Sequence, residues 1–350
     1  MSPARRAAFE VLARVDRGAR SDIALLEALR GLDSRDAALA TQIVYGVLRR
    51  RAQLDWLIGQ ASARGLHKLD PAVLRALRMG AFQLRFLERV PGHAAVNDSV
   101  ELVKRAGLRS AAGFVNAVLR RLPEIPPRWP DEALEYSMPA WLLEKWKRTL
   151  GGENARRAAQ AALEEPAPAV RDGRRMDEGA QSIVPWLDLR PGELFLDVCA
   201  APGNKTLQAM EAGVRAVACD ASFTRLRGLL APCPRVQADA ARGLPFGPVF
   251  DKILVDAPCT GTGTLGRNPE IRWRVTPGEI ERQSERQVAI LREALACLKP
   301  GGRLVYSTCS LEPEENEQVV QRGAGGRVKQ MALRVPGRDP GDGFFAAVIE

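Results

Sequence analysis

Two cysteines stand where covalent chemistry is possible. Cys259 lies in Val255-Asp-Ala-Pro-Cys-Thr-Gly-Thr-Gly-Thr-Leu265, with Arg267-Asn268-Pro269 just beyond. Cys309 lies in Leu304-Val-Tyr-Ser-Thr-Cys-Ser310, ahead of Leu311-Glu-Pro-Glu-Glu-Asn-Glu317. A thiolate adds to electron-poor carbon and leaves again, which suits cysteine to covalent catalysis. Asp256 precedes Cys259 by three residues, so a carboxylate able to hold or donate a proton shares its loop. Either cysteine alone reads as a buried structural thiol. The motif contexts turn that reading toward a nucleophile.

A third motif runs Phe195-Leu-Asp-Val-Cys-Ala-Ala-Pro-Gly-Asn-Lys-Thr206. Here a strand ends at small residues, turns at Pro202-Gly203 and enters a helix near Lys205. Such a turn lets a ligand approach the backbone where doubly wound sheets bind their ligands. It is neither the G-x-G-x-x-G of dinucleotide folds nor a phosphate-binding P-loop. Asp220 follows the next strand, where a carboxylate can accept both ribose hydroxyls, and Asp239 ends the third, near where an adenine amino group would lie. One such aspartate reads as a loop cap. Aspartates at successive strand ends point to a nucleoside cofactor.

The elements that must position these residues fall into two halves. Residues 1–122 read as successive helices with apolar residues three and four apart, among them Arg35–Arg49 behind Asp33/Ser34 and Pro71–Leu87 behind Asp70. This is an all-α bundle. The proline-rich stretch Pro123–Pro130 cannot continue a helix. Two more helices follow, Ala140–Leu150 and Asn154–Glu164, then an irregular passage around EEPAPAVRDG. From Gly192 short apolar runs (Leu194–Val198, Ala216–Cys219, Ile253–Val255, Arg303–Ser307) alternate with helical segments, the pattern of a parallel sheet covered on both faces. A last strand, Phe344–Ile349, is expected to close an edge. The predicted architecture is a helical bundle (1–125), linker helices (126–175) and a Rossmann-like α/β domain (176–350). Neighbouring strands four and five would bring Asp256, Cys259 and Cys309 to one side of the cleft, beside a flexible Gly/Thr loop.

Charge separates the halves as well. Residues 1–150 hold 25 Lys and Arg against 16 Asp and Glu, whereas the remainder balances 26 against 26. A basic first half joined to a neutral second suggests a polyanion-binding module attached to something else. Six cysteines without a C-x-x-C pair and only two histidines argue against a metal site. A chain of 350 residues can build an apolar core without disulfide staples. No apolar run approaches the ~20 residues of a membrane span, and the first residues lack a signal peptide's apolar core. A cytoplasmic monomer is expected.

Together D-x-C-A-A-P-G-x-K-T, D-A-P-C-x-G-T-G and Y-S-T-C-S-x-x-P-E-E-N-E resemble the Nop2/Sun family of RNA 5-methylcytosine methyltransferases, and within it the enzymes of bacterial 16S ribosomal RNA. Gln42–Arg49, Leu54–Ile58, Pro91–Asn97 and Phe114–Arg120 resemble the NusB-like RNA-binding domain that such enzymes carry. Met176–Gln181 and Gly341–Phe345 match further signatures, so the resemblance spans nearly the whole chain. It implies a class I methyltransferase fold, S-adenosylmethionine as cofactor, and 16S rRNA as partner. It implies Cys309 as nucleophile and Cys259 as the residue that assists product release. Cys199, Ala200, Ala201, Pro202, Gly203, Asn204 and Lys205, with Asp220, Asp239 and Asp256, would line the cofactor site, and Asp256 would also face the target base.

The chemistry fits those residue types. Carbon 5 of cytosine is a poor nucleophile, and a thiolate added at carbon 6 converts the ring to an enamine that can attack a sulfonium methyl group. Two features depart from the family. Asn204 stands where glycine is usual. Only Pro166–Arg175 occupies the interval that normally holds a ferredoxin-like RNA-contacting subdomain. The competing expectation is therefore a NusB-like RNA-binding or assembly protein whose methyltransferase domain is inactive or weakened. Arg49, Arg50 and Arg51 are expected to touch RNA.

Overall fold

In the computed structural model, which describes residues 1–350 apart from the side chain of Arg175, the chain forms two compact units. The first comprises Met1–Glu144, Ala162–Glu164 and Gly266–Trp273, and the second Lys145–Ala161, Glu165–Leu265 and Arg274–Glu350.

The first unit is helical: α1 (Pro3–Asp16), α2 (Ser21–Ala28), α3 (Ser34–Arg49), α4 (Arg51–Ala61), α5 (Pro71–Phe86), α6 (Gly92–Arg105), α7 (Ala112–Arg121) and the short α8 (Glu132–Glu135). Asp33 caps α3 by accepting from the Asp36 amide at 2.8 Å, and Asp70 caps α5 ahead of Pro71 by accepting from Ala72 at 2.7 Å. These two helices, with α4 between them, bury Ile43, Val44, Val47, Leu54, Leu57, Ile58, Leu77 and Met79. Each such side chain contributes roughly 1.5–3 kcal/mol of hydrophobic stabilisation. Gly46 lets α3 and α5 meet, since a Cβ there would fall 1.9 Å from the Phe82 ring.

Gly266–Trp273 reaches this unit from far along the chain. Within it, Glu270 is buried and accepts from the Ser21 amide at 3.0 Å and its hydroxyl at 2.8 Å. Arg272, fully buried, donates to the carbonyls of Arg49, Ser137 and Ala162. Burial pulls its pKa down to about 9, which leaves it charged at neutral pH. Arg49 is buried as well and donates to the Gly266 carbonyl at 2.8 Å. Arg50 lies over Phe86 and Arg51 over Trp273. Arg49–Arg51, expected to touch RNA, thus also hold the unit together: Arg49 is buried, while Arg50 and Arg51 are half-buried.

Helix α9 (Ala140–Leu150) begins in the first unit and continues in the second, followed by α10 (Gly152–Ala161). The passage read as irregular is a hairpin of β1 (Val170–Arg171) and β2 (Arg174–Arg175). Asp172 and Gly173 both take positive φ, 48° and 74°, as a two-residue hairpin turn of Asp-Gly requires. Then come α11 (Glu178–Gln181), β3 (Leu194–Asp197), α12 (Asn204–Met210), β4 (Arg215–Asp220), α13 (Phe223–Arg227), β5 (Arg235–Gln237), β6 (Phe250–Asp256), α14 (Pro277–Ala296), β7 (Leu298–Thr308), α15 (Glu317–Ala324), β8 (Val328–Arg334) and β9 (Phe344–Ile349).

The sheet runs β5-β4-β3-β6-β7-β9-β8, parallel through β7, with β9 antiparallel to both its neighbours. The expectation that Phe344–Ile349 closes an edge is thus corrected. All six of its residues are buried, whereas four residues of β8, Lys329 to Ala332, stand exposed, as suits the outermost strand. Apolar clusters cover both faces of the sheet. No helix is long and apolar enough to cross a membrane.

Candidate active site

The site forms where β3, β6 and β7 end. After β3 the chain passes Cys199 and Ala200, crosses a cis Ala201–Pro202 bond and turns at Gly203, whose φ is 105°. A Cβ there would meet Leu229 at 3.1 Å and the Leu230 amide at 3.2 Å, so glycine answers both a left-handed backbone and a close approach. Asn204 is the first residue of α12 and not left-handed, so the departure from glycine costs the turn nothing.

A cleft of about 190 Å³ opens here, lined by Asp197, Cys199, Ala200, Ala201, Pro202, Asn204, Lys205 and Asp256, and walled by Met176, Asp177 and Ala180. The Asp177 carboxylate ties that wall down, accepting from the amides of Gly179 and Asp342 at 2.8 Å. Asp197, unassigned from sequence, is fully buried and accepts from Thr206 Oγ1 at 2.7 Å. Desolvation, with Asp256 adding to it, raises its pKa to about 7. Asp197 Oδ1 and Asn204 Oδ1 are buried and take no well-formed hydrogen bond from the protein. Acceptors left open in a cleft fit a ligand that brings donors, such as an ammonium group.

Asp220 ends β4 buried, accepting from the Ala201 amide at 3.3 Å and the Ser222 amide at 2.9 Å. Asp239 sits two residues beyond β5, 3.6 Å from Arg286. Neither lines the cleft, in contrast to residues 199–202, 204, 205 and 256.

Lys205 Nζ reaches Asp256 Oδ2 at 2.6 Å and lies 5.2 Å from the Phe344 ring centroid. Ser307 donates to Asp256 Oδ1 at 2.9 Å. Burial works to lower the Lys205 pKa, but the Asp256 carboxylate outweighs it and the net shift is upward. Asp256 thus accepts from two donors, one on each carboxylate oxygen.

Cys259 and Cys309 leave the adjacent parallel strands β6 and β7, and their sulfurs stand 3.3 Å apart. The Cys309 side-chain contact and burial push the Cys259 thiol well above its usual pKa. Cys199 rises likewise, by desolvation and then by Asp197 and Asp256. The six cysteines are free thiols, and among the described residues no cluster of His, Cys, Asp or Glu could hold a metal. The Gly/Thr loop expected to be flexible is packed instead. Thr262, Gly263 and Thr264 are buried, Gly263 donates to the Cys309 carbonyl at 2.9 Å, and Leu311 donates to Thr262 Oγ1 at 3.0 Å. Sequence reasoning passed over Glu315 as well, whose carboxylate contacts both cysteine loops.

A seven-stranded sheet of this order, with a ligand cleft at its strand ends, is the Rossmann-like fold of methyltransferases that depend on S-adenosylmethionine. Comparison with known proteins narrows the class. Residues 184–350 match the family model 16S rRNA methyltransferase RsmB/F, and residues 2–124 match the NusB family. Ribosomal RNA small subunit methyltransferase B of Thermus thermophilus is 36% identical, over 91% of this chain and 86% of its own length. The protein of the same name in Erwinia tasmaniensis is 33% identical over 96% and 95%. Putative methyltransferase MT1451 of Mycobacterium tuberculosis is 34% identical over 89% and 84%. The crystal structure of PH0851 superposes with a TM-score of 0.81 across 100% of this chain and 99% of that one, at 23% identity. The chain belongs to the RsmB/F family of 16S rRNA methyltransferases. Its alignments with the Erwinia and Mycobacterium proteins span 412 and 394 positions, more than its 350 residues, so those relatives carry segments it lacks.

Proposed function

We propose that this chain methylates carbon 5 of a cytosine in 16S rRNA through a transient bond between Cys309 and carbon 6. The observation that carries this reading is the pair of sulfurs 3.3 Å apart on loops leaving β6 and β7, next to a cleft that holds Asp256 and Lys205. S-adenosylmethionine, when bound, supplies an electrophilic methyl group on a sulfonium. Residues 199–205 with Asp197 would hold it, the open acceptors of Asp197 and Asn204 suiting its ammonium end.

The protein's own part follows from the geometry. Cys309 Sγ forms a bond to carbon 6, and the displaced electron pair spreads over carbon 5 and the ring nitrogen at position 3. Cys259, kept as a thiol, can offer its S–H to the neighbouring sulfur of Cys309. Lys205, close enough for its charge to interact with Cys309, adds a positive neighbour. The Lys205–Asp256 pair can hold a proton at the ring nitrogen while charge builds there. Once carbon 5 bears the methyl group, a base takes its proton, the freed electron pair re-forms the carbon 5–carbon 6 double bond, and the carbon–sulfur pair leaves with Cys309, with Cys259 in place to assist release. The target base must first leave its stack, at a cost of a few kcal/mol.

The test is transfer of labelled methyl groups to 16S rRNA with mass-spectrometric mapping of 5-methylcytosine. Cys309→Ala is expected to abolish transfer and Cys259→Ala to accumulate RNA covalently bound to protein. Undiminished transfer by Cys309→Ala would overturn the assignment. RNA binding without transfer by the unaltered protein would favour an RNA-binding or assembly role instead.

A further inference from the structure

We propose that Glu315 is a positioning residue which, with Gln287, clamps the loops of the two cysteines against one another. The inference rests on the reading above only in supposing that both sulfurs serve one base. Cys259 and Cys309 are 50 residues apart, and their sulfurs meet only if two loops hold a common register. Glu315 grips the residue that follows each of them. Its Oε1 accepts from the Thr260 amide at 2.8 Å, and its Oε2 accepts from the Thr260 hydroxyl and from Ser310 Oγ at 2.5 Å. Gln287, on α14, completes the clamp. Its Nε2 donates to Glu315 Oε1 at 3.1 Å and to the carbonyl of Pro258, on the other side of Cys259, at 2.8 Å. Both residues are fully buried.

Position alone accounts for a carboxylate in so dry a place. A buried carboxylate is costly unless hydrogen bonds replace its water. Among the described residues no Lys or Arg side chain pairs with Glu315, and its four donors all come from the cysteine loops or from Gln287. The amide of Thr260 and the Gln287 side-chain N–H can only donate, so one oxygen must face them. The two hydroxyls on the other oxygen can turn to accept instead. An amide in place of the carboxylate, oxygen toward the N–H groups, would therefore keep the clamp in weaker form, whereas a methyl group would abolish it.

The experiment measures sulfur proximity without catalysis. Diamide takes two hydrogens and two electrons from a thiol pair, leaving a disulfide and a hydrazine. The Cys259–Cys309 link is followed by peptide mass spectrometry in the full-length protein. Glu315→Ala is expected to slow its formation at least about tenfold, as loss of alignment does for reactions between groups held in place. Glu315→Gln should recover most of the rate and Gln287→Ala should fall between. In methyl transfer, Glu315→Ala should lower kcat with little change in KM for RNA, while S-adenosylmethionine binding, which uses other residues, persists and reports a folded protein. An unchanged cross-linking rate in Glu315→Ala that still binds S-adenosylmethionine overturns the clamp. If that variant does not fold, an unchanged rate in Gln287→Ala does so. Slower cross-linking with unimpaired methylation would uphold the clamp and count against the two-thiol mechanism.

Discussion

Substituting Gly263 by alanine tests whether backbone packing beneath the site sets the rate. Gly263 lies between two backbone segments, its amide donating to Cys309 O at 2.9 Å and its carbonyl accepting from the Gly343 amide at 2.8 Å. A Cβ at 263 would stand 2.4 Å from Gly343 O and 2.9 Å from Cys309 O. Ordinary contact begins near 3.4 Å, so backbone on one side or both must retreat by up to about 1 Å. Neither neighbour is the loose end of a side chain. A misplacement of ~1 Å at reacting groups can cost ~100-fold in rate, equal to ~2.7 kcal/mol on the barrier. Overpacking of this kind also destabilises by roughly 1–3 kcal/mol. Single-turnover methyl transfer to 16S rRNA, read beside a thermal melt, separates the two effects. Gly247→Ala is the control, because its Cβ would meet nothing within 4 Å. Transfer at the unaltered rate by Gly263→Ala would refute the reasoning.

Three further outcomes can be checked. The Asp197 carboxyl titrates near 7 folded against 3.8 for the ordinary group, so between those values the folded protein keeps a proton that the unfolded chain has released. Its contribution to stability accordingly declines as pH rises from about 4 to about 7 and levels off above that, and Asp197→Asn should flatten this part of a urea-midpoint profile. Glu270→Ala strips Ser21 of both its acceptors inside the helical unit and should cost roughly 1–3 kcal/mol in chemical denaturation. Lys104, Arg105 and Arg109 stand exposed around the turn between α6 and α7. If they meet RNA phosphates, replacing all three by alanine should weaken binding and make the log–log salt dependence shallower by about 2, at ~0.7 per contact. An unchanged slope would exclude that turn.

What could be read from the sequence divides along physical lines. Features carried by adjacent residues were legible: the caps at Asp33 and Asp70, the turn at Pro202-Gly203, and strands whose continuous apolar runs announce two covered faces. So was the meeting of Cys259 and Cys309, because the consecutive strands β6 and β7 lie on one side of the switch point and pair. Features that depend on strand order were not. Phe344–Ile349 looks like any buried strand, and only the partly exposed β8 beyond it shows that it lies inside the sheet. Glu315 and Gln287 are unremarkable as letters, since 28 positions separate them and each acts through loops from elsewhere. The Asp-Gly turn at 172–173 was open to reading, yet two-residue strands are too short to show alternation. The partners of Arg49–Arg51 within the unit were not legible, because a run of like charges ordinarily means a solvated face. Here aromatic rings and a carbonyl take the guanidinium groups instead.

The eight residues from Gly266 to Trp273 have a consequence for biosynthesis. A ribosome delivers the N-terminal helices early, but the side chains that satisfy Ser21 and the carbonyls of Arg49 and Ser137 belong to Glu270 and Arg272. The helical bundle therefore stays incomplete while more than a hundred further residues are translated. Its last hydrogen bonds close only after β6 and the Cys259 loop have left the exit tunnel.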